Sequence, residues 1–312
     1  MDIVLHPGAH RTGSTSFQSY LRAVQDDICG QGLAYWGPWR TRKGLFHGVA
    51  DGTAPPGREG RPAGRVLLNV RGVARKGYRT LIVSDENMLG TPRDNIRSGL
   101  LYPGAGQRMA RFHAAFGGRV RRVVLQIRSP ELYWASLYAY ALPRGVSMPL
   151  PAQIAALARG QRSWRDVIVD MACAMPGAEI CVTVFERFAS DPAALLRALT
   201  DRAEVPEPAQ PLWLNRAPDL AALRAVLRDR GEDPALLPAG HGRWMPFIPQ
   251  DAALLRAAYA EDLHWLTTGA DGLARLIEDP DPDRTRIAWP AGPMTRGQRP
   301  HDQRQGNMAQ TR

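Results

Sequence analysis

Lysine is almost absent from this chain. Of 40 basic residues in 312, only Lys43 and Lys76 are lysine, and the others are arginine. An arginine standing where lysine is usual is therefore a weak surprise here. Cysteine is scarce too. Cys29, Cys173 and Cys181 show no C-x-x-C spacing and join no histidine cluster, which excludes a disulfide scaffold and a zinc site and predicts reduced thiols in a cytoplasmic protein. No apolar run approaches the roughly 18 residues of a membrane span. The opening "MDIVLHPG" has neither a basic region nor a long apolar one, so no secretory leader is expected. No internal repeat is visible. No basic block is interleaved with aromatics, so a nucleic-acid platform is not expected either. Oligomeric state is not legible.

What is present is ordinary globular composition, 44% hydrophobic and 22% charged, with a net charge of +10. The positive balance points to an anionic partner without choosing among nucleotide, acidic glycan and nucleic acid. Short apolar runs recur: "DIVLH" (residues 2–6), "LAYWG", "TLIVS" (80–84), "RRVVLQIR" (121–128) and "EICVTVF" (179–185). They read as buried parallel strands. Helical patterns lie between and after them. "STSFQSYLRAV" has Ser14 or Thr15 fit to start a helix, "SPELYWASLYAYAL" has Pro130 in its first turn, and "SDPAALLRALTDRA" has Ser190 or Asp191 as a cap. Residues 219–230 and 250–268 read as further helices. Alternating strands and helices predict a three-layer α/β/α fold around a central parallel sheet, in which ligands bind at the carboxyl ends of the strands. Pro38 to Gly64 is rich in Gly, Pro and Arg and reads as a loop or lid. The domain is expected over residues 1–277, with a disordered tail over 278–312.

The first strand runs into "GAHRTGST", Gly8 to Thr15. This nearly fits the phosphate loop G-x-x-x-x-G-K-[ST], but Ser14 stands where the lysine belongs. Such a turn aims backbone N–H groups at one point, and the following helix adds partial positive charge. Arg11, inside the loop, can supply the missing cation, and its planar fork suits two oxygens of one anion. The bland alternative is a tight turn into a capped helix. A second segment, "LQIRSPELYWASLYAY", places Arg128 at a strand end and Ser136 on the helix beyond, where the two could clamp a second phosphate.

Together these segments resemble the sulfotransferases that use 3′-phosphoadenosine 5′-phosphosulfate (PAPS). "RTGSTS" is similar to that family's lysine-shifted phosphate loop, and "RSPELYWAS" to its R-x-P motif with a following serine. "VTVFERFASDP" and "LLRAAYAEDLHWL" resemble later family segments, so the likeness spans roughly residues 2–268. The resemblance implies that Gly8, Thr12, Gly13, Ser14, Thr15 and Ser16 wrap the 5′-phosphate. It implies that Arg11 takes the family lysine's place on the phosphosulfate, and that Arg128 and Ser136 hold the 3′-phosphate. It assigns Glu86, in "VSDENMLG", as the acceptor's base, with Asp85 as the nearby substitute, and His10 as a second catalytic candidate on the phosphosulfate. Arg243, in the basic loop "GHGRWMPF", would cover the 3′-phosphate. No metal is implied.

Three functions stay open: PAPS-dependent transfer to a hydroxyl or amine of an unknown acceptor, a P-loop small-molecule kinase, and a non-catalytic nucleotide- or glycan-binding member of the fold. A saccharide, a lipid headgroup or a small molecule would each serve as acceptor. Pro38 to Gly64 and Leu142 to Arg165 are expected to shape its pocket. Tyr133, Trp134, Tyr138 and Tyr140 read mainly as core, and His6 as packed. His47 and His113 carry no assignment.

Overall fold

The computed structural model describes residues 1–53, 57–58, 60–202, 204–210 and 213–278. Its strands are apolar on both sides, which drives them into the interior. In β1 (Asp2–His6), Ile3 and Leu5 join one core while Val4 joins the other. The same split separates Leu81 and Val83 from Ile82 in β3 (Thr80–Ser84), and Val123 and Leu125 from Val124 in β4 (Val120–Ile127). With β2 (Leu33–Trp36), β5 (Glu179–Val184) and β6 (Arg275–Leu276) they form one all-parallel sheet of six strands in the order β2-β3-β1-β4-β5-β6. Parallel pairing covered on both faces gives the three-layer α/β/α architecture.

The two cores are unequal. Helices Arg61–Arg75, Ala105–Ala115, Pro130–Ala141, Trp164–Ala174, Leu220–Asp229 and Pro249–Thr267 build the larger one. Helices Ser14–Ala23 and Pro192–Thr200 build the smaller one through Phe17, Tyr20, Leu196 and Leu199. The chain leaves β1 towards β3 and β2, and leaves β4 towards β5. The helices after β1 and β4 lie on opposite faces, so a crevice opens between those two strand ends. It is the switch point at which such sheets take their ligands.

Caps follow the expected chemistry at several helix starts. Asp191 accepts from the Ala194 N–H at 2.7 Å, and Asp219 from Ala222 at 2.8 Å. One expectation is narrowed. Within Pro38 to Gly64, Pro38–Arg40 is helical, Thr41–Leu45 continues as a kinked turn, and the helix Arg61–Arg75 begins inside the stretch, while the described residues between carry no helix or strand. Leu45, Phe46 and Val49 anchor it by burial in the larger core, an apolar pull that the surrounding Gly and Arg conceal. The expected tail lies outside the described residues from 279 onward. Within them, no helix is long and apolar enough to cross a membrane.

Candidate functional site

The loop after β1 is held in an unusual backbone. Gly8, Arg11 and Gly13 all have positive φ, at 48°, 66° and 82°. For arginine that conformation costs about 1–2 kcal/mol, strain of the kind that collects at ligand clamps. Gly8 has no alternative, since a Cβ there would stand 2.5 Å from Ser14 Oγ. The helix Ser14–Ala23 starts after Gly13 with no side-chain cap. Ser14 and Thr15, expected at its start, open the first turn without capping it, and Ser14 Oγ donates to the Ala9 carbonyl at 3.5 Å. Thr12 Oγ1 donates to the Ala9 carbonyl at 2.6 Å, and Ser16 Oγ accepts from Leu214 N at 3.0 Å. Among the described residues the amides of Arg11 to Ser16 find no backbone or side-chain acceptor. The first to do so is Phe17, on the Gly13 carbonyl at 3.1 Å. Unspent N–H groups at a helix N-terminus attract an anion.

Two arginines line the same cavity as the loop. Arg11 Nε donates to Ser136 Oγ at 3.0 Å, and its guanidinium lies 4.9 Å from the Tyr140 ring centroid. Arg128, only 4% exposed, donates from Nη1 to the Arg11 carbonyl at 2.8 Å and lies 4.5 Å from the Phe185 ring. Arg128 Nε is buried with no hydrogen-bond partner. Among the described residues neither guanidinium has a carboxylate within ion-pair distance. Burial is the main reason that Arg11 is pulled down to about 10, with Tyr140 opposing and Arg144 adding. Arg128 is pulled down to about 10 by burial first and then by Arg243, with Glu186 opposing. Arg128 is thus a buried cation and Arg11 a half-buried one, and neither touches a carboxylate among the described residues, although Glu186 and Glu131 act on Arg128 from farther away.

Their supports come from distant elements. The Trp164 indole N–H donates to the Arg128 carbonyl at 2.7 Å, and Trp164 N donates to Asp262 at 3.0 Å. Glu186 accepts from Ser129 N at 3.2 Å and from the Tyr259 hydroxyl at 3.4 Å, and burial raises its pKa. Helix Pro249–Thr267 thus fixes the strand end that carries Arg128.

The opposite wall has the reverse character. Glu86 opens a 3-10 turn (Glu86–Met88) after β3. Gln18 Nε2 donates to one of its oxygens at 2.9 Å, and Arg42 pairs with the other at 2.8 Å. Arg42 also donates from Nη2 to Asp85 at 2.7 Å, and Thr41 caps that carboxylate. Burial pushes Glu86 up, but Arg42, His10 and Gln18 outweigh it and hold it at about 2. His10 Nε2 donates to Asn87 Oδ1 at 3.1 Å. The Tyr102 hydroxyl accepts from His10 N at 2.6 Å and shares a hydrogen bond with His10 Nδ1 at 2.9 Å. With both ring nitrogens engaged, His10 braces the loop against the turn, and burial lowers its pKa while Glu86 and Asn87 oppose that shift.

A cavity of about 530 Å³ lies between the two walls. His10, Arg11, Gly13 to Ser16, Glu86, Arg128, Ser136 and Arg243 all line it. Gly8 and Thr12 shape the loop from behind. Trp213 to Asp219 close the remaining side, tied down by Leu214 on Ser16. Among the described residues, neither Pro38 to Gly64 nor Leu142 to Arg165, both expected to shape the pocket, lines it. Reading the sequence missed Arg42, Gln18, Tyr102 and this strap, because each arrives from a separate part of the chain. The only signal was the helical spacing of Ser14 and Gln18, which puts both on one face of their helix.

Among the described residues no group of three or more His, Cys, Asp or Glu is gathered to hold a metal ion. Comparison with known protein families, with curated proteins and with solved structures finds no match for this chain.

Proposed function

We propose that the chain is a sulfotransferase moving a sulfuryl group from PAPS to a hydroxyl or amine. The observation that carries this reading is the pair Arg11–Arg128, two cations with no carboxylate in ion-pair contact among the described residues, which line one cavity with the open amides of the loop. Such a set suits a ligand with two separate anionic groups, and 530 Å³ is within the range of small-molecule sites. The orphaned Arg128 Nε supports the fit.

PAPS supplies the sulfuryl group and a phosphate leaving group. The protein's part is positioning and charge stabilisation, as in phosphoryl transfer. The loop amides and Arg11 hold the 5′ end and stabilise charge growing on the leaving phosphate. Arg128 holds the 3′-phosphate, with Arg243 on the same cavity wall. Ser136 orients the Arg11 fork through Nε, leaving both terminal nitrogens for the ligand. That differs from the role the resemblance implied, in which Ser136 served the 3′-phosphate beside Arg128. Glu86 takes the acceptor proton as the new bond to sulfur forms and the bond to phosphate breaks. Because Arg42 and Gln18 occupy both its oxygens, it becomes an effective base only when the acceptor draws Arg42 away. A general base works best near the operating pH.

Calorimetric titration with adenosine 3′,5′-bisphosphate, against ATP–Mg²⁺ and AMP, tests the reading. Selective binding of the bisphosphate at micromolar strength or better is expected. Preference for ATP–Mg²⁺ would replace the proposal by a kinase, although Ser14 in the lysine position disfavours that.

A further inference from the structure

Beyond the main cavity, the turn Thr41–Leu45 faces a second cleft. About 500 Å³ of space is lined there by Arg40, Lys43, His47, Arg65 and Asn69, with no carboxylate on its wall. Among the described residues Arg40, Lys43 and Arg65 have no ion-pair partner. Arg40 Nε is buried without a hydrogen bond, while its Nη2 donates to Asn69 at 2.9 Å. Arg65 donates from Nε to the Leu45 carbonyl at 3.1 Å, which fixes the cation against the turn.

The cleft continues into a neighbouring one of about 390 Å³, which shares Arg40 and Asn69 and adds Trp36, Trp39, Tyr78 and Lys76. Trp39 is 44% exposed, unusual for so large an apolar ring. One face of helix Arg61–Arg75, through Arg65, Asn69, Gly72 and the following Lys76, lines the floor of both. At a helical rise of 1.5 Å per residue this floor runs roughly 16 Å. That helix contains no acidic residue; its charged residues are Arg61, Arg65, Arg71 and Arg75. Arg61 and Arg65, and likewise Arg71 and Arg75, are like charges four apart, a spacing that weakens an isolated helix. Of the cations, Arg40, Lys43, Arg65 and Lys76 line the groove itself, and charge of one sign held there attracts anions.

We propose that this groove binds an anionic oligosaccharide. Carboxylate or sulfate groups sit on Arg40, Lys43 and Arg65, and a sugar ring lies on the face of Trp39. The aromatic surface beside the cations and the polar Asn69 and Gln25 on the wall favour a saccharide over a bare phosphate. Arg42 belongs to the same turn and holds Glu86 on its other side. A chain in the groove therefore touches the element that governs the candidate base. Calling the saccharide the acceptor rests on the sulfotransferase reading; its binding does not.

The test is titration of the full chain with a uronate tetrasaccharide, a neutral glucose tetrasaccharide, poly-glutamate and a single-stranded oligonucleotide. Wild type is compared with Lys43→Glu and Trp39→Ala, both exposed positions outside the main cavity. The uronate sugar is expected to bind, to weaken at least tenfold in Lys43→Glu and several-fold in Trp39→Ala, and to weaken with added salt. Adenosine 3′,5′-bisphosphate affinity in the same variants is expected to stay unchanged. Equal binding of the neutral sugar, no effect of Lys43→Glu, or binding only of the peptide or oligonucleotide would overturn the groove proposal. If the uronate sugar binds as expected and the bisphosphate does not, the groove stands and the sulfotransferase reading falls.

Discussion

The two walls of the main cavity use charge in opposite ways. On the β3 side every charged group is matched: Arg42 meets both Asp85 and Glu86, Gln18 satisfies the second Glu86 oxygen, and Thr41 caps Asp85. On the β1–β4 side Arg11 and Arg128 meet only neutral partners, a serine hydroxyl, a backbone carbonyl and aromatic faces. Breaking a matched buried pair is costly because it leaves one charge alone. Unmatched buried charges destabilise a fold unless a ligand supplies the countercharge. On the proposed reading, the contrast separates structural polar groups from those that await an anion.

The largest expected effect is on the unmatched wall. Arg11→Ala is expected to lower turnover with PAPS about a hundredfold or more, the scale of losing one transition-state donor. Unchanged turnover in a steady-state assay would remove Arg11 from the chemistry. The next effect is on stability, and its sign differs between the walls. Asp85→Ala strips partners from Arg42, Thr41 and the Asn87 amide, and about 2–3 kcal/mol is expected to be lost in urea unfolding. Arg128→Met removes an unmatched cation, so the ligand-free protein is expected to be unchanged or more stable by about 1 kcal/mol. Equal losses in both variants would erase the contrast.

Acid sharpens it further. Glu86 is held down at about 2 and His6, buried against Ser84, at about 4. Both fold with depressed pKa values, so the unfolded chain binds more protons below their ordinary values. His6 contributes stability above about pH 6.5, which is lost as pH falls through 4; Glu86 contributes above about 4.5, lost as pH falls through 2. Glu86→Gln is expected to flatten the lower part of the stability–pH curve and leave the upper part in place. The smallest effect is kinetic. Arg42→Met frees Glu86, and the acid limb of kcat/KM is expected to move up by roughly one pH unit. A limb that does not move would mean that another group takes the proton.

Much of the fold was legible because its strands are short apolar runs with clear ends. β6 was not, since Arg275–Leu276 is two residues added at the sheet edge by pairing with β5 alone. The kinked turn Thr41–Leu45 was hidden by its composition. At the site, Arg11, Ser136 and Arg128 stood out from local spacing and Arg243 from the family resemblance, and all of them line one cavity. Arg42 and the strap Trp213–Asp219 were not, because their positions depend on contacts with distant residues. Arg42 reaches residues 43 and 44 positions away, and Leu214 reaches Ser16 across 198. Local patterns record loops and caps; they do not record which distant arginine covers which carboxylate.

The most direct test of the central claim titrates adenosine 3′,5′-bisphosphate into the wild-type protein and into Arg128→Met under the same buffer and salt. The account predicts micromolar or tighter binding to the wild type and at least a tenfold loss in a variant that is no less stable without ligand. Equal affinity in the two proteins, or no binding to either, would contradict it.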